Sequence, residues 1–225
     1  MRKSRIHCAV VFTATWVAAT ADGLHSHHES RADEREIAQA EQEFVPLFDG
    51  KTLAGWEGDA KLWKVEDGKI VGDSPGIRQN EFLATKKRYA DFELRLEFRL
   101  RKGEGNTGVQ FRSQRVEGTS EVSGYQADIG EKYWGCLYDE SRRNKILVQA
   151  PAGLDKVLRK EDWNDYVIRA QGQRISLSLN GMQTVDYRED DEAISGDGII
   201  ALQVHAGGPV RVEFRNLRIR ELSGK

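Results

Sequence analysis

From Phe44 onward the chain alternates apolar and polar positions with a period of two. Phe92, Leu94, Leu96, Phe98 and Leu100 fall on one side, and Glu93, Arg95, Glu97, Arg99 and Arg101 on the other. Such alternation predicts a half-buried strand whose charged face lies in water, so these charges need no other role. Ile175, Leu177 and Leu179 alternate with Ser176 and Ser178 in the same way, and Val210, Val212 and Phe214 with Arg211, Glu213 and Arg215. In the last of these runs the apolar face resumes at Leu217 and Ile219 after one extra residue, which predicts a bulge near Asn216. Asp67-Gly68, between Trp63-Lys64-Val65 and Ile70-Val71, predicts a two-residue hairpin turn, as does Asn180-Gly181. No segment of ten or more residues carries a strong 3.6-residue period. Many short strands joined by glycine turns predict an all-β fold, a two-sheet antiparallel β-sandwich spanning 44–222.

Three strands break the rule of a charged outer face. In 106–112, Val109 and Phe111 take the core side, which leaves Asn106, Gly108, Gln110 and Arg112 opposite. In 124–129, Gln126 and Asp128 share a face. In 199–206, Ile200, Leu202 and Val204 are core, and Ala201, Gln203 and His205 face away. A merely solvated face would favour Lys, Glu and Thr. Carboxamides, one guanidinium, one carboxylate and one imidazole among small residues instead suit the directional hydrogen bonds of neutral polyols. The expectation is a concave polar groove for a sugar, against the plainer alternative of ordinary sheet surface. The loop 131–140 adds Tyr133, Trp134 and Tyr138, whose rings could stack on sugar C–H faces, and Asp139 and Glu140. The plainer alternative is that Tyr133 and Trp134 pack over the sandwich edge, and that Arg142 and Arg143 neutralise the two acids.

The first 43 residues differ from this pattern. Arg2, Lys3, Arg5 and His7 precede a short apolar run, Cys8 to Ala19, and Ala19-Thr20-Ala21 fits a small-residue cleavage site. Residues 1–21 therefore read as a signal peptide, and export to the periplasm or beyond the cell follows. Residues 22–43 read as a polar, flexible leader; its His25, His27 and His28 are more readily solvated than metal-bound. With 34 basic and 36 acidic residues the formal charge is −2, and loss of Arg2, Lys3 and Arg5 takes it to −5. That balance gives no reason to expect nucleic acid as a partner. No stretch outside the leader approaches a membrane span. Cleavage leaves Cys136 as the one cysteine, which reads as a buried structural thiol.

Several chemistries are excluded by pattern. His205 is the only histidine after residue 28, so no H-E-x-x-H site exists, and Walker-type loops are absent. Asp128, His205 or Glu140 could hold a divalent cation, but no ligand spacing supports one, and no cofactor is expected.

The stretches FVPLFDGKTLAGW at 44–56, WKVEDGKIVG at 63–72, FLATKKRYADFELRLEFRL at 82–100, GNTGVQFRS at 105–113, GYQADIG at 124–130 and YWGCLYDE at 133–140 resemble the 3-keto-disaccharide hydrolase family. So do WNDYVIRAQGQRISLSLNG at 163–181, GIIALQVHAG at 198–207 and VEFRNLRIREL at 212–222, so the likeness covers 44–222. Asn106-Thr107-Gly108 stands where many members look like Asn-Ser-Gly. The resemblance implies a concanavalin A-like jelly roll and hydrolysis of glycosides oxidised at C3. Such a route runs by removal of the C2 proton, β-elimination of the C1 substituent and hydration. It needs a base and an electrophile, not the paired carboxylates of ordinary glycosidases. On the strand-face reading His205 is the base, Asp128 orients it or shares its work, and Arg112 stabilises the enolate oxygen. Asn106, Gln110, Gln126, Gln203 and Glu140 hold hydroxyls, with Trp134 and Tyr138 as a sugar platform. The rivals are a non-catalytic carbohydrate-binding module on the same groove, and an assembly domain whose mark would be a broad exposed apolar patch.

Overall fold

A computed structural model describes residues 41–223. The signal-peptide reading, its cleavage after Ala21 and the leader histidines lie outside the described residues. One unit of the chain runs Glu43–Lys225.

The strands, in chain order, are β1 (Val45–Pro46), β2 (Trp56–Glu57), β3 (Trp63–Glu66), β4 (Lys69–Ser74), β5 (Glu81–Thr85), β6 (Phe92–Leu100), β7 (Asn106–Arg115) and β8 (Val122–Gly130). They continue as β9 (Leu137–Glu140), β10 (Lys145–Val148), β11 (Asn164–Gln171), β12 (Arg174–Leu179), β13 (Met182–Arg188), β14 (Ile199–Val204) and β15 (Val210–Glu221). One sheet has the order β13-β12-β11-β6-β15-β4-β3, with β1 on β15; the other is β10-β9-β8-β7-β14-β5-β2. Every pairing is antiparallel. Both hairpins fall where the turn dipeptides predict, with Glu66 opposite Lys69 and Leu179 opposite Met182. Asp67 and Asn180 take the left-handed φ that such turns require. The register of β15 slips between Arg215 and Arg218, around Asn216 at φ 53°.

The two inner faces make one core. Leu94, Leu96, Phe98, Tyr166, Ile168, Leu177 and Phe214 come from the larger sheet, and Val109, Phe111, Tyr125, Ala127, Leu202 and Val204 from the smaller. Gly72 is small by necessity, because a Cβ there would lie 2.8 Å from the buried Trp63 ring. Cys136 is fully buried and unpaired. The larger sheet's other face carries the charge ladder that the alternation predicts, with Arg99 on Glu213, Arg215 on Glu97 and Arg169 on Glu93. Leu96→Ala is therefore expected to cost about 2–5 kcal/mol, the range for trimming a buried leucine. Arg95→Ala removes one of three arginines on the buried Glu93 carboxylate, and with Arg169 and Arg220 still paired to it the cost is expected to be under about 1 kcal/mol. Urea melts of the two variants check this, and equal losses would reverse the orientation of β6.

Candidate functional site

The outer face of the smaller sheet is polar where water alone would not make it so. β7, β8 and β14 lie side by side there, with Gly108 opposite Asp128 and Gln110 opposite Gln126. Ala201 stands beside Gln110, and Gln203 beside Phe82. Period two puts Val109, Ala127 and Leu202 into the core and their neighbours onto this outer face. Gly108 is bare for a steric reason, since a Cβ there would sit 2.6 Å from Gln126 Cγ and Cδ. Its bareness lets the Gln126 carboxamide lie across the strand.

The side chains form one connected row. Ser113 Oγ donates to Gln110 Oε1 at 2.8 Å, and Gln110 Nε2 to Gln126 Oε1 at 3.0 Å. Gln126 Nε2 donates to Asp128 Oδ2 at 3.0 Å and to Gln203 Oε1 at 3.3 Å. Asn106 Nδ2 and the Ile129 amide both donate to Asp128 Oδ1. Gln110, Gln126, Asp128 and Gln203 are all buried, and Gln203 Nε2 has no partner. Burial pushes the Asp128 carboxyl up to about 8, despite the donations from Gln126, Asn106 and Ile129 that favour its charged form.

A hairpin arm lies over this face. The register between β7 and β8 slips after Phe111, and Arg112 takes a left-handed φ of 47°. Beyond that bulge the chain turns back across the sheet: Val122 packs on Phe82, Ala84 and Ala201. Arg115 reaches Glu57 on β2, and Ser120 Oγ donates to the Asn80 carbonyl at 2.8 Å. Glu121 Oε2 accepts from both Asn80 Nδ2, just before β5, and Ser141 Oγ, just after β9. Three strands separate β5 from β9 in the sheet, namely β8, β7 and β14. One carboxylate thus joins the loop before β5 to the loop after β9 across the strands between them.

His205 stands half-buried at the end of β14. Its Nδ1 lies 2.6 Å from the Ala206 carbonyl. A carbonyl only accepts, so Nδ1 carries a proton, and in the neutral ring the lone pair is then on Nε2. Asn80 Oδ1 accepts from the Ala206 amide and steadies this loop. Glu140 is raised by burial and by Glu121, and pulled back by His205. Tyr138 stands opposite Gln126 in register, edge-on to Tyr133 at 5.9 Å. Asn106, Gln110, Gln126, Asp128, Gln203 and Tyr138 thus share the face, with Glu140 and His205 at its margins.

Two expected site residues lie elsewhere. Arg112 is turned off the face by its own bulge, since period two fails at a register slip. Its guanidinium donates to the carbonyls of Ala90 and Gly172 and to Asp91 Oδ1, at 2.8, 2.7 and 2.8 Å. It lines a separate cleft of about 490 Å³ with Tyr125 and Glu189. Trp134 is not a sugar platform: it is buried in the core, stacked on Phe98 at 6.3 Å. Asp139 is buried too, paired with Arg142 and Arg143 as charge balance suggests. Ser113, Asn80 and Glu121 belong to the site although the pattern does not single them out. The bulge that brings Ser113 onto the face contains no glycine to announce it. Among the described residues no three His, Cys, Asp or Glu side chains gather as a metal would require.

The fold recurs among solved structures. A candidate glycosyl hydrolase from Parabacteroides distasonis ATCC 8503 superposes with a TM-score of 0.63 at 21% identity, over 83% of this chain and 97% of that one. The carbohydrate-binding module CBM66 from Bacillus subtilis gives 0.60 at 15% identity, over 79% and 100%. The sandwich is a jelly roll. In sequence, a 3-keto-disaccharide hydrolase of Bacteroides thetaiotaomicron is 35% identical over 83 residues, which take in 32% of this chain and 28% of that protein. The model of the 3-keto-alpha-glucoside-1,2-lyase-like domain matches residues 43–220, and the chain belongs to that family.

Proposed function

We propose that the chain is an exported enzyme that cleaves 3-keto-glycosides on the concave face of its smaller sheet. The observation that carries this is the buried carboxamide row ending on Asp128, a polar surface that the fold alone does not need. The Bacteroides relative bears the name of a hydrolase of 3-keto-disaccharides, and the binding module of like fold binds carbohydrate by its name. The assembly alternative loses its motive: Val45 is the one exposed large hydrophobic among the described residues.

In this reading His205 Nε2 removes the proton at C2, which the C3 ketone acidifies. The C1–O bond breaks, the electron pair leaves with the aglycone oxygen, and Asp128 gives that oxygen its proton. Asp128, now ionised, takes a proton from water. The hydroxide adds to C1, and His205 returns its proton to C2. The carboxamides and Tyr138 hold hydroxyls.

Asp128 sets a pH dependence. Its carboxyl must be protonated to serve the leaving group, so turnover of a 3-keto-glycoside is expected to fall as pH rises through about 8. The linkage to stability has the same sign. An unfolded chain ionises this carboxyl near pH 4 and the folded one only near 8. The folded state therefore holds the extra proton between these values and loses stability as pH rises. Asp128→Asn should remove both slopes. The decisive assay is product analysis with 3-keto-glycosides and their unoxidised parents. Cleavage of the ketones alone supports the enzyme; tight sugar binding without cleavage makes the domain a binding module.

A further inference from the structure

A base that works through Nε2 depends on what holds Nδ1, because the partner of one ring nitrogen decides where the proton of the other sits. Nδ1 of His205 donates to the Ala206 carbonyl, and that carbonyl is not free to turn. It shares a planar peptide unit with the Gly207 amide, which donates to the Ile77 carbonyl at 2.8 Å. The preceding unit is held as well, since the Ala206 amide donates to Asn80 Oδ1 at 2.8 Å. Two successive peptide planes are thus tied to the loop before β5, and with them the direction of the Ala206 carbonyl.

Asn80 is itself oriented. Its side chain is buried, Nδ2 donates to Glu121 Oε2 at 3.4 Å, and its backbone carbonyl accepts from Ser120 Oγ. The carboxamide fits one way round only. Turned over, it would set Oδ1 against a carboxylate and Nδ2 against an amide N–H. We propose that Asn80 is a positioning residue that, through the Ala206 backbone, keeps the His205 ring in the tautomer with its lone pair on Nε2. The proposal rests on the reading of His205 as the base. Asn80 needs no contact with sugar for this, because the half-buried imidazole is the group that meets it.

The test compares Asn80→Ala with the double variant Asn80→Asp and Glu121→Gln, which exchanges amide and acid but leaves a donor facing an acceptor. The readouts are the ring-nitrogen NMR shifts of neutral His205, assigned against His205→Ala, and turnover of methyl 3-keto-α-glucoside. Wild type is expected to carry the proton on Nδ1. In Asn80→Ala part of it should move to Nε2, and kcat should fall about 10²-fold, the cost of a misplacement of about 1 Å, with little change in KM. The double variant should restore both. A wild-type proton on Nε2, or unchanged ring signals in Asn80→Ala, overturns the proposal, and a fall in kcat with those signals unchanged makes Asn80 a tie for the fold. A folded double variant that keeps the alanine's defect overturns it too. Should Asn80→Ala not fold, Glu121→Leu, which removes the acceptor that orients the amide, is read in the same way. If wild-type protein cleaves no 3-keto-glycoside, the enzyme reading fails and the ring signals alone judge Asn80: altered signals keep its hold on the ring, and unaltered ones remove it.

Discussion

Replacing His205 with alanine is expected to lower turnover of a 3-keto-glycoside about 10²–10⁴-fold, the range for losing a general base. Folding should be nearly untouched. The ring is only half-buried, and its one hydrogen bond within the protein is the local contact to Ala206. The loop that carries it is held independently, through the Ala206 amide on Asn80. Turnover and thermal melts on the same preparation separate the outcomes. A variant that unfolds makes the histidine a structural tie. A folded variant with full activity moves the base to a carboxylate of that face, Asp128 or Glu140.

Arg112→Ala should do the reverse. Its guanidinium is buried and satisfies two backbone carbonyls and the Asp91 carboxylate. Alanine would take the guanidinium from all three, although Ala90 and Gly172 are exposed and Asp91 keeps the Gly172 amide, so the cost is about 1.5–3 kcal/mol, the range for hydrogen bonds to a charged group. Lysine should not restore it, because one ammonium cannot span three directions as a planar guanidinium does. Denaturant melts should therefore shift far, while kcat measured per folded molecule stays near wild type. A stable variant with collapsed turnover would return Arg112 to the chemistry.

The contrast between these residues shows how far the sequence could be read. The strands were legible because alternation is a backbone property: Phe92 to Leu100 has no other way to bury five large side chains at once. Gln126, Asp128 and Gln203 were legible on one face for the same reason, since each sits two positions from a neighbour on an unbroken ladder. Arg112 was not, because a register slip of one residue changes the face, and the slip comes from tertiary pairing with β8 and not from a turn dipeptide. Trp134 failed differently. An aromatic in a loop can stack on sugar or fill a gap between sheets, and only the position of Phe98 decides. Asn80 and Glu121 come together from elements three strands apart in the sheet, a juxtaposition that no local pattern records.

The buried thiol of Cys136 has a use beyond packing. Burial pushes its pKa up, with the Asp128 carboxyl adding to the effect, so thiolate is scarce and alkylating reagents do not reach Cys136 in the folded domain. As the only cysteine among the described residues, it reports on the opening of the fold around the turn between β8 and β9. The rate at which iodoacetamide labels it would time the opening of the sandwich interior under native conditions, residue-specifically and without any engineered probe. Sugar that binds only the closed fold would slow that clock in proportion to its occupancy.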